Sequence, residues 1–334
     1  MKKFQKLFLL AGLGAALIAG CSKTAGVEKT ESASTEAMSA ADTAGTEAMM
    51  AEGENTDKKI VTVTTSFLYD MVGQLAGEFV ERELIIPAGE DPHLYVAKPE
   101  DLKKIEEADM VLYHGLHFEG KMQDVLEAKG YAVASTFADD KIGKMEENGE
   151  TVIDPHFWFD IDLYKEATVN AAEKLKELLP DNKEDIDAHL AAYLEELTAL
   201  DEENKAALDG IEKENRYLIT PHDAFNYFSR RYDIEVVAPQ GVSTDSEVAN
   251  KDLEDTVDFI VEHGVKAIFA ESTTDPARME KLKEACAAKG FDVKVVSGEG
   301  NELFSDSLAP EGEDGDTYID MYKHNVRLIT ENLK

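Results

Sequence analysis

The chain has 334 residues, 43% of them hydrophobic and 31% charged, which is enough apolar material for two ordinary cores and excludes a fully disordered protein. Its 69 acidic residues against 34 Lys and Arg leave a formal charge of −35, so most of the surface repels polyanions and nucleic acid is excluded as a partner. The same charge concentrates cations near the protein, although a surface made acidic for solubility looks identical in composition.

The chain opens on Lys2, Lys3 and Lys6, continues with an apolar run from Leu7 to Ile18, and reaches Ile18-Ala19-Gly20-Cys21. A basic start, a run too short to span a bilayer and small residues before a cysteine describe a lipoprotein signal peptide over residues 1–20, with lipid attached at Cys21. After Cys21, residues 22–57 are built mainly from Ala, Thr, Ser, Glu, Met and Gly, hold no aromatic, and repeat Thr-Glu-Ala-Met at 35–38 and 46–49. Such a segment buries too little apolar surface to offset its ordering entropy, so it is expected to be a disordered acidic tether. Cys286 is the one cysteine left after lipidation, in a helical pattern that makes it a small buried apolar residue.

From residue 58 onward, short β-branched runs alternate with helical patterns. Strands are expected at 60–65, 83–86, 110–113 and 131–134, and again at 217–220, 235–238, 267–270 and 293–296. That alternation predicts an α/β protein of two lobes, 58–181 and 212–334, each with a central parallel sheet flanked by helices. Between them, Ile186, Leu190, Tyr193, Leu197, Leu200, Ala207 and Ile211 recur mostly three or four residues apart. The spacing predicts one long rigid helix over 182–211, about 45 Å at 1.5 Å per residue, joining the lobes in a single pass.

Three histidines follow a proline where a strand pattern gives way to a turn: Asp91-Pro92-His93, Asp154-Pro155-His156 and Thr220-Pro221-His222. Ligands of open α/β sheets gather at the carboxyl ends of strands, and a preceding proline restricts the backbone that presents each imidazole. One such histidine is ordinarily just a hydrogen-bonded residue; three in matching contexts point to a metal site. Neutral imidazoles bring no charge to a divalent cation, so the fourth ligand should be a carboxylate, and Asp306 follows the last expected strand. Glu271, Asp316 and Asp320 compete for that place, with a capping or surface role suiting them better. His114 and His117 sit at a strand end and are expected to support the site or face solvent, His189, His263 and His324 to face solvent, and Trp158 to pack beside the site. No His-Glu-x-x-His helix, Gly-x-Ser-x-Gly elbow or phosphate loop occurs, so no catalytic residue is assigned.

With Asp91 to Asp101, Asp154 to Asp160, Pro221 to Phe228, Gln240 to Thr244, Phe269 to Thr273 and Phe304 to Asp306 in this order, residues 58–334 resemble the TroA-like metal receptors of bacterial zinc and manganese ABC importers. The resemblance implies two α/β lobes on a helical backbone and a metal site of His93, His156, His222 and Asp306. It also implies Zn2+ or Mn2+ as transported ligand, and an ABC permease with its ATPase as partners. The receptor would sit on the extracytoplasmic face of a bacterial membrane, anchored through Cys21 and acting as a monomer. His93 and His156 would grip the ion from one lobe, His222 and Asp306 from the other. Two features depart from the family's patterns. Many zinc-dedicated members carry a His-rich loop where Asp139 to Glu150 has acids and no histidine, and manganese-dedicated members often carry glutamate in place of His222. Three nitrogens and one carboxylate suit zinc; manganese favours more oxygen, available if Asp306 binds through both atoms. An adhesin-like host-interaction lipoprotein and a zinc-dependent hydrolase are the alternative readings.

Overall fold

The computed structural model describes residues 58–147 and 149–334; the signal peptide over 1–20, Cys21 and the tether over 21–57 lie outside the described residues. The first half runs β1 (Lys59–Val63), α1 (Ser66–Ala76), β2 (Val80–Leu84), α2 (Pro99–Glu107), β3 (Met110–Tyr113), α3 (Gln123–Lys129) and β4 (Tyr131–Ala132), then β5 (Lys144–Glu147), β6 (Glu150–Ile153) and α4 (Ile161–Leu178). The four strands β1 to β4 form one parallel sheet in the order β2-β1-β3-β4. Val61, Val63 and Leu112 are fully buried on it, as the β-branched and apolar runs require when both faces are covered by helices.

The long helix α5 spans Lys183–Leu208, shorter at both ends than the expected 182–211. Pro180 to Asn182 are taken up in a separate 3-10 turn, and the chain leaves the helix at Asp209 just before Gly210. The apolar spacing locates the packed face but runs past the backbone boundary at the carboxyl end. Ile186, Tyr193, Leu197, Leu200 and Leu208 are buried along that face, against α1, α4 and α9. Each buried Leu contributes roughly 1.5–3 kcal/mol, so the helix is held by packing along its whole length.

The second half runs β7 (Tyr217–Ile219), α6 (Asn226–Tyr232), β8 (Glu235–Val237), α7 (Asn250–His263), β9 (Ala267–Phe269), α8 (Ala277–Ala288), β10 (Lys294–Val296) and α9 (Tyr318–Leu333). β7 pairs with β8 and β9 with β10, both parallel. Single bridges His222 to Gln240 and Glu271 to Leu303 extend these pairings beyond the strand ends. All eight expected strands are present, with β2 beginning three residues before its expected start. The antiparallel pair β5 and β6 was not expected, because its sequence, Lys144 to Ile153, is acidic and only weakly alternating. One core cluster runs from Val61 through Trp158, Phe225 and Phe269 to Leu333, so both halves contribute to it. Among the described residues no helix is long and apolar enough to cross a membrane.

Candidate metal centre

The four expected residues arrive from four different segments. His93 lies in the turn after β2, His156 follows β6, His222 follows β7, and Asp306 stands in the segment after β10. The carboxyl ends of strands therefore aim three loops at one point, as open α/β sheets do. One ligand atom from each of the four lies within 4.8 Å of every other. The Asp306 carboxylate is 3.1 Å from His222 Nε2, 3.3 Å from His156 Nε2 and 3.8 Å from His93 Nε2. His156, His222 and Asp306 are fully buried and His93 is 4% exposed.

The three Nε2 atoms and both Asp306 oxygens are buried without a hydrogen-bond partner. Leaving five such atoms unmade is costly in a folded protein, and their convergence is what a cation needs: nitrogen lone pairs and one anionic carboxylate. The set fits a small divalent metal ion.

The lone pairs are aimed by what lies behind two of the rings. His156 Nδ1 donates to Asp154 Oδ1 at 2.7 Å, and the same oxygen accepts the His156 amide at 3.0 Å. His222 Nδ1 donates to Glu271, whose Oε2 also accepts from Ser305 Oγ at 3.0 Å. A carboxylate only accepts, so each Nδ1 carries the proton and each Nε2 presents its lone pair inward. Glu271 is fully buried, which corrects the expectation of a capping or surface role. Asp316 and Asp320 do serve that way, accepting from Gly312 N and capping α9 through Thr317.

His93 has no such backing on its ring. Asp91 instead accepts the His93 amide at 2.9 Å. The electrostatics follow this difference. Burial pushes the His93 pKa down to about 3 against the pull of Asp306. Burial also disfavours protonated His156, but its hydrogen bond to Asp154 and the nearby charges of Asp154 and Asp306 outweigh it and raise the pKa to about 9. His222 is likewise raised, by Glu271 and Asp306 over burial, while His222 and His156 hold Asp306 well below the ordinary carboxylate range despite its burial.

The Asp306 segment is fastened to the first half of the chain. Trp158 Nε1 donates to Ser305 O at 2.9 Å, Leu308 N to Ser66 Oγ at 2.9 Å, and Gly89 N to Ser307 Oγ at 2.8 Å. Gly89 makes its bond from a φ of 86°, a conformation that favours glycine. Asp306 thus belongs to the second half by sequence but is positioned from both, so the expected division of ligands, two to each lobe, is cross-braced. Trp158 packs beside His156 at 5.2 Å between ring centroids, as expected.

His114 is buried behind the site, boxed by Phe67, Phe118, Phe157 and Trp158 and bonded through Nε2 to Thr65 Oγ1 at 2.7 Å, and is not among the four. His117 and His263 are exposed and His189 is half-buried. His324 is buried, contrary to expectation, with Nε2 on Glu302 O at 3.0 Å. Cys286 is a buried free thiol whose pKa burial raises. Sequence reasoning gave Asp91 and Asp154 no role and weighed Glu271 only as a rival ligand or a capping or surface group, not as the partner of His222. The signal for the first two was present, since an aspartate stands two residues before the histidine in two of the three Pro-His triplets. The third has Thr220 there, and the carboxylate comes from Glu271, far away in sequence.

The family model for the zinc-uptake complex component A, periplasmic, matches residues 61–332. The chain belongs to this family. Among curated relatives, the manganese-binding lipoprotein MntA of Bacillus subtilis is 35% identical over 288 residues, covering 84% of this chain and 92% of that protein. The zinc-binding protein TroA of Treponema pallidum is also 35% identical, over 281 residues, covering 83% and 89%. A solved TroA structure described by its metal binding specificity is 60% identical, with a TM-score of 0.82 over 83% of this chain and 100% of that one. The family's members are solute-binding receptors, not enzymes. Relatives named for zinc and for manganese are equally similar, so identity does not choose the metal.

Proposed function

We propose that this chain captures a divalent transition-metal ion, zinc or manganese, outside the cytoplasm and hands it to the permease and ATPase of an ABC importer. The observation that carries the reading is the set of five buried, partnerless donor atoms of His93, His156, His222 and Asp306. Four protein ligands complete a tetrahedral shell, whereas a catalytic zinc keeps a position open for water. Binding is capture without chemistry: the ion sheds its water to three imidazoles and one carboxylate, and the two α/β halves, 58–181 and 212–334, act as lobes around it. Lipid at Cys21 tethers the receptor to the membrane, and the protein acts as a monomer. The three nitrogens favour zinc; bidentate binding by Asp306 would admit manganese.

The test is metal analysis of protein purified without chelator, beside His222→Ala and Asp306→Ala titrated with both ions. We expect one equivalent of metal in the wild type and a loss of affinity of at least about 100-fold in Asp306→Ala, which loses the only charged ligand. A wild type that takes up neither ion would sink the reading. Full affinity in Asp306→Ala would remove Asp306 from the ligand set.

A further inference from the structure

Three surface clefts surround one short segment, Gln240 to Ser246. A cleft of about 440 Å³ borders Gln240 and Gly241, one of about 610 Å³ borders Thr244 to Ser246, and one of about 400 Å³ borders Val242 and Ser243. Of the three, the last reaches a ligand: His93 lines it, with His117, Glu147 and Pro155. His93 is also the one ligand of the four with any exposure. Segment 240–246 therefore borders, through Val242 and Ser243, the one of these clefts that reaches a ligand.

The segment is fastened differently from the ligand loops. Ser305 to Leu308 is bonded through its own backbone and Ser307 to buried Ser66 and Trp158 and to exposed Gly89. Segment 240–246 reaches the first half of the chain through three contacts nearer the surface. Thr244 Oγ1 donates to Asp91 Oδ2 at 2.6 Å, Val242 N donates to Glu147 Oε1 at 2.8 Å, and Lys121 Nζ lies 3.1 Å from Asp245 Oδ1. On its own side it is pinned by Gln240 Nε2, which donates to Thr244 O at 2.9 Å and to Ser246 O at 2.6 Å. The Lys121–Asp245 pair is exposed at both ends and contributes little. The other two links are hydrogen bonds to carboxylates, the stronger class.

We propose that segment 240–246 is the gate through which the ion leaves, and that Asp91 is the positioning residue that ties this gate to the ligand set. One oxygen of Asp91 holds the His93 amide and the other holds the Thr244 hydroxyl, so the ligand most open to solvent and the gate share a single carboxylate. Opening breaks the Asp91–Thr244 and Glu147–Val242 bonds, while Gln240, bridged to His222, stays with His156, His222 and Asp306. The inference rests on the metal-receptor reading above.

The experiment is stopped-flow release of zinc, and separately of manganese, from the full chain into excess chelator. Loss of one carboxylate hydrogen bond should speed release about tenfold in Thr244→Val and in Glu147→Ala, and more in the double variant. Thr244→Ser keeps the hydroxyl and should return the rate to near that of the wild type, whereas Lys121→Ala should change it by no more than about twofold. The double variant releasing metal at the wild-type rate, or Thr244→Ser releasing as fast as Thr244→Val, would overturn the gate. Amide hydrogen exchange of the wild type provides a check independent of substitution. Residues 241–246 should gain more protection on metal binding than 303–308, and equal gains would overturn the proposal. A wild type that takes up no metal at all refutes the receptor reading itself and is distinguished at the loading step.

Discussion

Three imidazoles face Asp306, and they are not equivalent. His156 and His222 each have a carboxylate on the remote ring nitrogen, and His93 has none. A carboxylate behind an imidazole fixes its tautomer and makes the metal-facing nitrogen a stronger donor. Replacing Glu271 by glutamine keeps the size and an acceptor but removes the charge. We expect Glu271→Gln to weaken metal binding by roughly 10–100-fold in competitive titration, with folding intact by circular dichroism. Binding unchanged within twofold would show that Glu271 acts only as a packing and hydrogen-bonding group. At this scale the sequence was legible where chemistry repeats locally: three Pro-His pairs announce themselves. Glu271 was not legible, because it lies 49 residues from its partner and chain folding alone joins them.

Elements carry these residues, and α5 shows how. Its buried face includes Asp201 as well as apolar residues. Asp201 receives Arg231 through both Nε and Nη2, at 2.7 and 2.8 Å, and Lys205 and Tyr232 as well, which fastens α5 to α6, the helix that follows His222. Burial pushes the Asp201 pKa up, but the bonds from Arg231 and Lys205 outweigh it and hold the carboxyl at about 2, below its ordinary 3.8. A carboxylate depressed in the folded state stabilises fully above its unfolded value, and that contribution is lost as the pH falls through about 2. Asp201→Asn should therefore destabilise the protein by ~1–3 kcal/mol at pH 7 and by progressively less as the pH falls from 4 to 2, read by chemical denaturation across that range. A deficit that does not shrink on acidification would mean that the charge is not what fastens the helices. Strands were legible as elements because β-branched runs alternate with helical stretches. The β5–β6 hairpin was not, since Lys144 to Ile153 is acidic and gains its order from pairing with itself and from contacts such as Tyr227 Oη with Gly143 N at 2.7 Å.

Across the whole molecule, one core cluster extends from Val61 to Leu333, and Tyr318 and Tyr322 of α9 donate to the carbonyls of Trp158 and Phe159 at 2.6 and 2.8 Å. Apolar packing shared this way couples the halves, so unfolding should appear as a single calorimetric transition, shifted upward by metal. At a hundredfold excess over the dissociation constant the ion adds about 2.7 kcal/mol. Two resolved transitions, with only one of them moved by metal, would mean that the halves fold separately. The sequence by itself determined the α/β class, the long amphipathic helix and three candidate histidine ligands, because periodicity and local motif are properties of neighbours along the chain; Asp306 came from charge balance and the family resemblance. Only the tertiary structure decided that Asp306 is held from both halves, that Asp91, Asp154 and Glu271 stand behind or beside the histidines, and that Thr244 shares Asp91 with His93. Those contacts join residues as much as 242 positions apart, as Ser66 and Leu308 are, and no periodicity records which distant segments the closing of a core brings together.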